Sequence, residues 1–146
     1  MRRRIRGAMV LAIALALGVG LPVPVRAADP VKAVYHLSEG IPQATRAMRN
    51  IKNHLTADPT VKIVVVAHGA GIDFLLKDAK DGNGTAFSNH IDELSLRDVE
   101  FRVCQFTLET RGIDRSRVVS EAKIVRSGVA EVARLQAREG YAYVKP

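Results

Sequence analysis

The chain has 146 residues, 22 Lys or Arg against 15 Asp or Glu, a net charge of +7 and a single cysteine. Five of the arginines (Arg2, Arg3, Arg4, Arg6 and Arg26) and none of the acids fall in the first 27 residues, so the remainder carries only +2. That excludes a nucleic-acid partner, which needs a concentrated basic face; a lone cysteine excludes an internal disulfide framework, and residues 28–146 have room for one core and not two.

The opening stretch "MRRRIRGAMVLAIALALGVGLPVPVRAADP" has a basic start, an apolar run from Ala8 to Leu21 and small residues at Ala27 and Ala28. This is the layout of a secretory signal peptide over residues 1–27, with an apolar run short for a membrane span. Cleavage is expected near Ala27, which predicts a periplasmic protein with no stable membrane insertion afterwards. An uncleaved anchor is the alternative, and Arg2 to Arg4 leave the twin-arginine route open beside the ordinary one.

Residues 28–146 form the predicted α/β domain. Its first strand is "VKAVYHLS" (31–38), with Val31, Ala33, Tyr35 and Leu37 on one face and Val34 on the other. Ala44, Ala47, Met48, Ile51 and Leu55 then recur at helical spacing, with Pro42 suited to the first turn and Asp58-Pro59 ending the run. "VKIVVVAHG" (61–69) is apolar on both faces from Ile63 to Ala67, as a strand covered on both sides reads. Ile72, Leu75, Leu76 and Ala79 predict a helix, "KDGNGTAF" a flexible turn, and Phe87, Ile91 and Leu94 another helix leading into the strand "VEFRVC". After a helical turn from Gln105 to Thr110, Asp114 is a candidate cap for a helix holding Val118, Val119 and Ala122. "AKIVRS" follows as a strand. Ser127 begins a helix whose shared face is Val129, Val132, Ala133 and Gln136, Gly140 stops it, and "YAYVKP" is the last strand.

Alternating strands and helices with long connections imply a parallel sheet between helical layers. The expected fold is a three-layer α/β/α, flavodoxin-like domain with a five-stranded, mainly parallel sheet in the order 2-1-3-4-5. The sheet then reverses between the first and third strands, and ligands favour the carboxyl-end crevice at such a reversal.

Cys104 ends the third strand and precedes a helical turn. Backbone N–H groups and the positive end of a helix dipole favour the thiolate there, with Arg102 and Arg111 as nearby positive charge. Against this, a lone cysteine is commonly an inert, packed residue. Glu39 is the candidate proton acceptor across the crevice and Ser38 a candidate hydrogen-bond donor, although both suit an ordinary capping loop. His68 ends the second strand at the same rim and is a candidate to exchange protons near neutral pH, and Gly69 and Gly71 are candidates for close backbone approach to a bound anion. Two glycines without the dinucleotide fingerprint imply no nicotinamide or flavin, and no cofactor is expected. "DGNGTAFSNHID" partly matches a calcium loop, but Ala86 and Asp92 replace the required glycine and glutamate. His36, His54, His68 and His90 show no zinc spacing, so no metal is expected. Serine hydrolase and thioredoxin motifs are absent.

Taken together, "VVVAHGAGIDFLL", "ELSLRDVEFRVCQFTLETRGID" and "AKIVRSGVAEVARLQAREGYAYVKP" resemble the DsrE/DsrF-like family of small sulfur-handling proteins, in particular its exported branch. The resemblance implies homo-oligomers, commonly trimers or hexamers, and a cysteine that carries sulfane sulfur as a persulfide. Cys104 matches that position. The implied function is a sulfur carrier or sulfurtransferase-like protein with a sulfur donor and an acceptor thiol of unknown identity as partners. The rival expectation is a non-catalytic small-ligand-binding or assembly module in which Cys104 is packed.

Overall fold

The computed structural model describes residues 29–146; the expected leader lies outside the described residues. Strands β1 (Lys32–Leu37), β2 (Lys62–Ala67), β3 (Glu100–Cys104), β4 (Ala122–Val125) and β5 (Ala142–Val144) alternate with helices α1 (Ile41–Ala57), α2 (Phe87–Ser95), α3 (Gln105–Thr110) and α4 (Gly128–Glu139). All five strands pair in parallel in one sheet. The three-layer α/β arrangement is therefore the expected one. Among the described residues no helix is long and apolar enough to cross a membrane.

The strand order differs from the expected 2-1-3-4-5. It is β4-β3-β2-β1-β5, with β2 at the centre of the sheet. The first three crossovers step in one direction, from β1 to β4, and right-handed crossovers of one direction put their connections on one face. The fourth returns from β4 to the far side of β1, so α4 lies on the opposite face. The buried residues divide accordingly. Tyr35, Leu37, Ile63, Val65, Phe101 and Val103 meet α1, α2 and the connecting segments, with Phe74 packed edge-on against Phe87 and Phe101 at 5.7 and 6.2 Å. Val34, Val64 and Val66 meet only Val132 and Leu135 of α4, flanked by Tyr141. Ile63 to Ala67 are consequently buried on both faces, as their unbroken apolar run predicts.

The order moves the reversal point. The connections after β1, β2 and β3 leave toward one face and the one after β4 toward the other, so the carboxyl-end crevice opens between β3 and β4, not between β1 and β3. Cys104, paired with Val125 across that boundary, is still at its edge.

Two predicted helices are replaced by tighter structure for one reason. The segment after β2 is a 3-10 turn, Gly69–Leu75, and the segment after Asp114 is another, Arg115–Arg117, with the Asp114 carboxylate accepting from the Ser116 N–H. Beyond them the chain is extended, because Leu76 bridges Val118, Lys77 N–H donates to the Arg117 carbonyl and Val119 N–H to the Leu75 carbonyl. Ile72, Leu75, Val118 and Val119 are buried as expected, but by cross-chain pairing instead of helix faces. In the 81–85 turn the Asp81 carboxylate accepts from the Asn83 and Thr85 N–H groups, both at 2.9 Å.

Helix α4 starts at Ser127, whose hydroxyl accepts from Ala130 N–H, and stops at left-handed Gly140. Its buried face is Gly128, Val132 and Leu135, so of the predicted Val129, Val132, Ala133 and Gln136 only Val132 lies on it. Val129 is 61% exposed. The helix is turned because Gly128 seats its backbone on the sheet rim and Glu131 reaches Arg102 of β3.

Candidate active site

Strand alternation fixes which side chains share the α4 face of the sheet at its carboxyl edge. On β3 the buried Phe101 and Val103 face the main core, so Glu100, Arg102 and Cys104 face α4. His68 lies one residue beyond the Ala67–Val103 pairing, beside Cys104. Gly128 closes the triangle: a Cβ placed on it would lie 3.0 Å from the His68 Cβ and 3.3 Å from the Cys104 Cβ. Only a residue without a side chain lets the start of α4 come so near both.

Cys104 is 5% exposed. Burial alone pushes its thiol up, but the Gly128 N–H, the Thr107 hydroxyl and the N–H groups of Thr107 and Phe106 outweigh that, and the thiol titrates below its ordinary range. The donors come from the first turns of two helices, α3 and α4. Each presents first-turn N–H groups and the positive end of a backbone dipole, although the Phe106 N–H also donates to the Arg126 carbonyl at 3.3 Å. The sequence pointed to one helix start; α4 becomes the second only because the last crossover returns over this face.

The expected charge assistance is spent elsewhere. Arg102 is held by Glu131 and, at 3.0 Å, by Glu100. Arg111 donates to the Gly69 carbonyl at 3.2 Å and the Asp73 carboxylate at 2.7 Å. Arg111 and Gly69 nevertheless line one shallow cavity of about 220 Å³ with Phe106, Thr107 and Thr110. It adjoins the thiol through Thr107, whose hydroxyl also accepts from the Gly69 N–H at 3.0 Å.

Glu39 is not brought to Cys104. β2 stands between their strands, and Glu39 pairs with Lys145 at 2.6 Å, which holds its carboxylate below the usual range. Ser38 uses its backbone N–H to bind Gln43 Oε1 at 2.8 Å. Gly71 is pressed against the β1 backbone and offers no approach to a ligand.

His68 has a partner that the sequence did not reveal. Its Nε2 lies 2.6 Å from Nε2 of His36, and His36 Nδ1 lies 2.8 Å from the Tyr143 hydroxyl. Burial lowers the pKa of His68; burial, then His68, then Lys145 lower that of His36. His36 occupies the Val34 face of its strand by alternation alone, but that β1 lies between β2 and β5 is not visible in the sequence. Among the described residues no three His, Cys, Asp or Glu side chains converge as metal ligands. The arrangement suits nucleophilic thiolate chemistry with an imidazole at hand.

Gly128→Ala tests the close approach. The new methyl meets two Cβ atoms and, at 3.4 Å, the Ala67 carbonyl, so the expected cost is about 1–3 kcal/mol of stability. Alkylation of Cys104 is expected to slow as the Gly128 N–H is pushed away. Denaturant melts and iodoacetamide kinetics measure the two; an unchanged rate would remove Gly128 as a thiolate donor.

No curated protein matches the chain significantly. Among solved structures, MTH1491 from Methanobacterium thermoautotrophicum, described as a protein of unknown function, superposes with a TM-score of 0.70 at 28% identity, over 80% of this chain and 99% of that one. YchN from E. coli superposes with a TM-score of 0.63 at 12% identity, over 82% of this chain and all of its own, a likeness of fold. The DsrE/DsrF-like family model matches residues 32–146, from the first residue of β1 to the chain end, and the chain belongs to that family.

Proposed function

We propose that this chain is an exported sulfur carrier, in which the Cys104 thiolate takes sulfane sulfur from a donor, holds it as a persulfide and passes it to an acceptor thiol. The observation that carries this reading is the place of the only thiol in the chain, immediately before α3 and against Gly128 at the start of α4, where backbone N–H groups hold its pKa below the ordinary value. Buried donors of this kind stabilise the thiolate, and the thiolate is the attacking form. In the first step Cys104–S⁻ attacks the outer sulfur of R–S–SH; the new S–S bond forms, the donor S–S bond breaks and R–S⁻ leaves. In the second an acceptor thiolate attacks the outer sulfur and Cys104–S⁻ is regenerated. Neither step changes the total oxidation state. Family membership supports the same chemistry.

Assembly into homo-oligomers is part of the proposal. Val129, Phe106 and Tyr143 are exposed at 61%, 46% and 44%, and a second copy is a natural cover for such side chains. A binding-module reading has one observation in its favour, the 5% exposure of Cys104. Mass spectrometry separates the two. The reduced mature protein, given a persulfide donor, is expected to gain one sulfur atom that a reductant removes. Labelling of Cys104 by a small thiol reagent only after denaturation would favour the module.

A further inference from the structure

A sulfur transfer that expels R–S⁻ from an alkyl donor is helped by a proton delivered to the leaving sulfur, and the thiol itself, once ionised, has none to give. The structure holds a hydrogen-bonded chain that ends beside Cys104. Tyr143 of β5 is 44% exposed; its hydroxyl contacts His36 Nδ1 at 2.8 Å, and His36 Nε2 contacts His68 Nε2 at 2.6 Å. His68, the residue after β2, is next in register to Cys104, and the Cβ atoms of both lie close to Gly128. Two imidazole nitrogens at that separation fit one hydrogen between them, because two N–H groups cannot point at each other. The pair therefore carries at most one extra proton.

We propose that Tyr143, His36 and His68 form a proton relay from the protein surface to the sulfur-transfer site, with His68 as the proton donor to the leaving thiolate and His36 and Tyr143 as the groups that position and resupply it. The relay rests on the sulfur-carrier reading. Before transfer Tyr143 O–H donates to His36 Nδ1, His36 Nε2–H donates to His68 Nε2, and His68 carries its other proton on Nδ1. A solvent acid loads the relay: the phenol passes its proton to His36 Nδ1 and takes one from the acid, which makes the pair a monocation. The His36 Nε2 proton moves to His68 Nε2, and His68 gives its Nδ1 proton to R–S⁻, leaving R–SH and a neutral pair. Exchange of the ring protons with water restores the starting tautomers. One proton is taken from solvent for each R–S⁻ expelled, and no electrons move.

The surroundings suit a pair that gives its one extra proton up readily. Lys145, after β5, adds positive potential at His36 and is itself paired with Glu39. From β3 the neighbouring group is the Cys104 thiol. From α4 the first turn brings backbone N–H groups and only one acid, Glu131, which is engaged by Arg102 and by Arg134 at 2.8 Å. From α1, Gln43 contributes an amide N–H to the His36 carbonyl at 3.5 Å. No carboxylate among them is free to hold the extra proton on the histidines.

Two measurements test the relay. Imidazole NMR on the wild-type protein is expected to show His36 and His68 binding one proton between them from pH 8 to pH 5; two complete, independent titrations would overturn the shared contact, whatever the sulfur chemistry does. His36→Gln is then assayed with two probes. With glutathione persulfide, an alkyl donor that leaves as a basic thiolate, sulfur uptake at neutral pH is expected to fall about 100-fold, within the usual range for a positioned acid. With an aromatic disulfide, whose leaving thiolate needs no proton, the rate is expected to stay within about twofold. Equal losses with both probes would mean that His36 only shapes the site and would overturn the relay. Wild-type protein that reacts with the aromatic disulfide but takes no sulfur would fail the carrier reading itself, and with it the delivery step.

Discussion

Cys104→Ser is expected to abolish sulfur uptake and all thiol alkylation, since the chain has no second cysteine to take over, while leaving a folded protein. The substitution is small, no disulfide is lost, and the N–H groups of Gly128, Thr107 and Phe106 that face the sulfur face a hydroxyl oxygen instead. What the variant loses is charge, because serine stays neutral where the thiol ionises. That gives the change a pH signature. The folded thiol titrates below its unfolded value of about 8.5, so the folded state binds fewer protons between the two values. Its contribution to stability is fully present above the unfolded value and is lost as pH falls through the folded one. Wild-type stability, measured by denaturant melts from pH 6 to pH 9.5, is therefore expected to rise relative to the variant, and the wild-type alkylation rate to reach half its maximum below pH 8.5. Parallel stability curves would show that the two helix starts do not stabilise a thiolate. An adduct surviving in the variant would place the sulfur elsewhere.

Position along the chain made Cys104 legible; position across the sheet hid its partners. Alternation in "VEFRVC" puts Arg102 and Cys104 on one face, and the short helix after it follows from Gly112, so the thiol at a strand end before a helix start needed only local rules. Which strand lies beside which is a tertiary fact. The assumed order 2-1-3-4-5 put the first strand next to the third and so drew Glu39 toward Cys104; the observed order puts β2 there and joins Glu39 to Lys145 instead. The same placement of β1 between β2 and β5 brings together His36, His68 and Tyr143, which are 32 and 107 residues apart from His36 in the chain. The helix expected from Asp114 onward failed for a related reason. Val118 and Val119 have β propensity as well as a helical spacing, and pairing with Leu75 and Leu76 decides between them. α1, whose apolar residues recur over 17 residues with Pro42 in the first turn, was legible throughout because it answers to its own sequence.

Gly71→Ala is expected to be the most damaging single methyl in the domain. From the sequence Gly71 is a candidate for approach to an anion, but the thing it approaches is β1. A Cβ there would fall 2.2 Å from the Leu37 carbonyl oxygen, 2.3 Å from its carbon and 2.5 Å from the Ser38 nitrogen. These are backbone atoms at the carboxyl end of a strand paired on both sides, to β2 and β5, so no flexible side chain gives way. Relief requires moving the Gly69–Leu75 turn away from β1. That turn carries Ile72, Phe74 and Leu75 into the core, all fully buried, and it also holds Gly69, which is tied to Thr107 beside the thiol. The expected cost is at or above the upper end of ordinary overpacking, about 3 kcal/mol, or a fall in midpoint of roughly 10 °C for a domain of this size. Thermal melts give the stability term, and iodoacetamide kinetics well below the midpoint give the effect on Cys104. A variant that melts with the wild type would mean that the turn does not pack on β1, and would return Gly71 to the candidates for ligand contact.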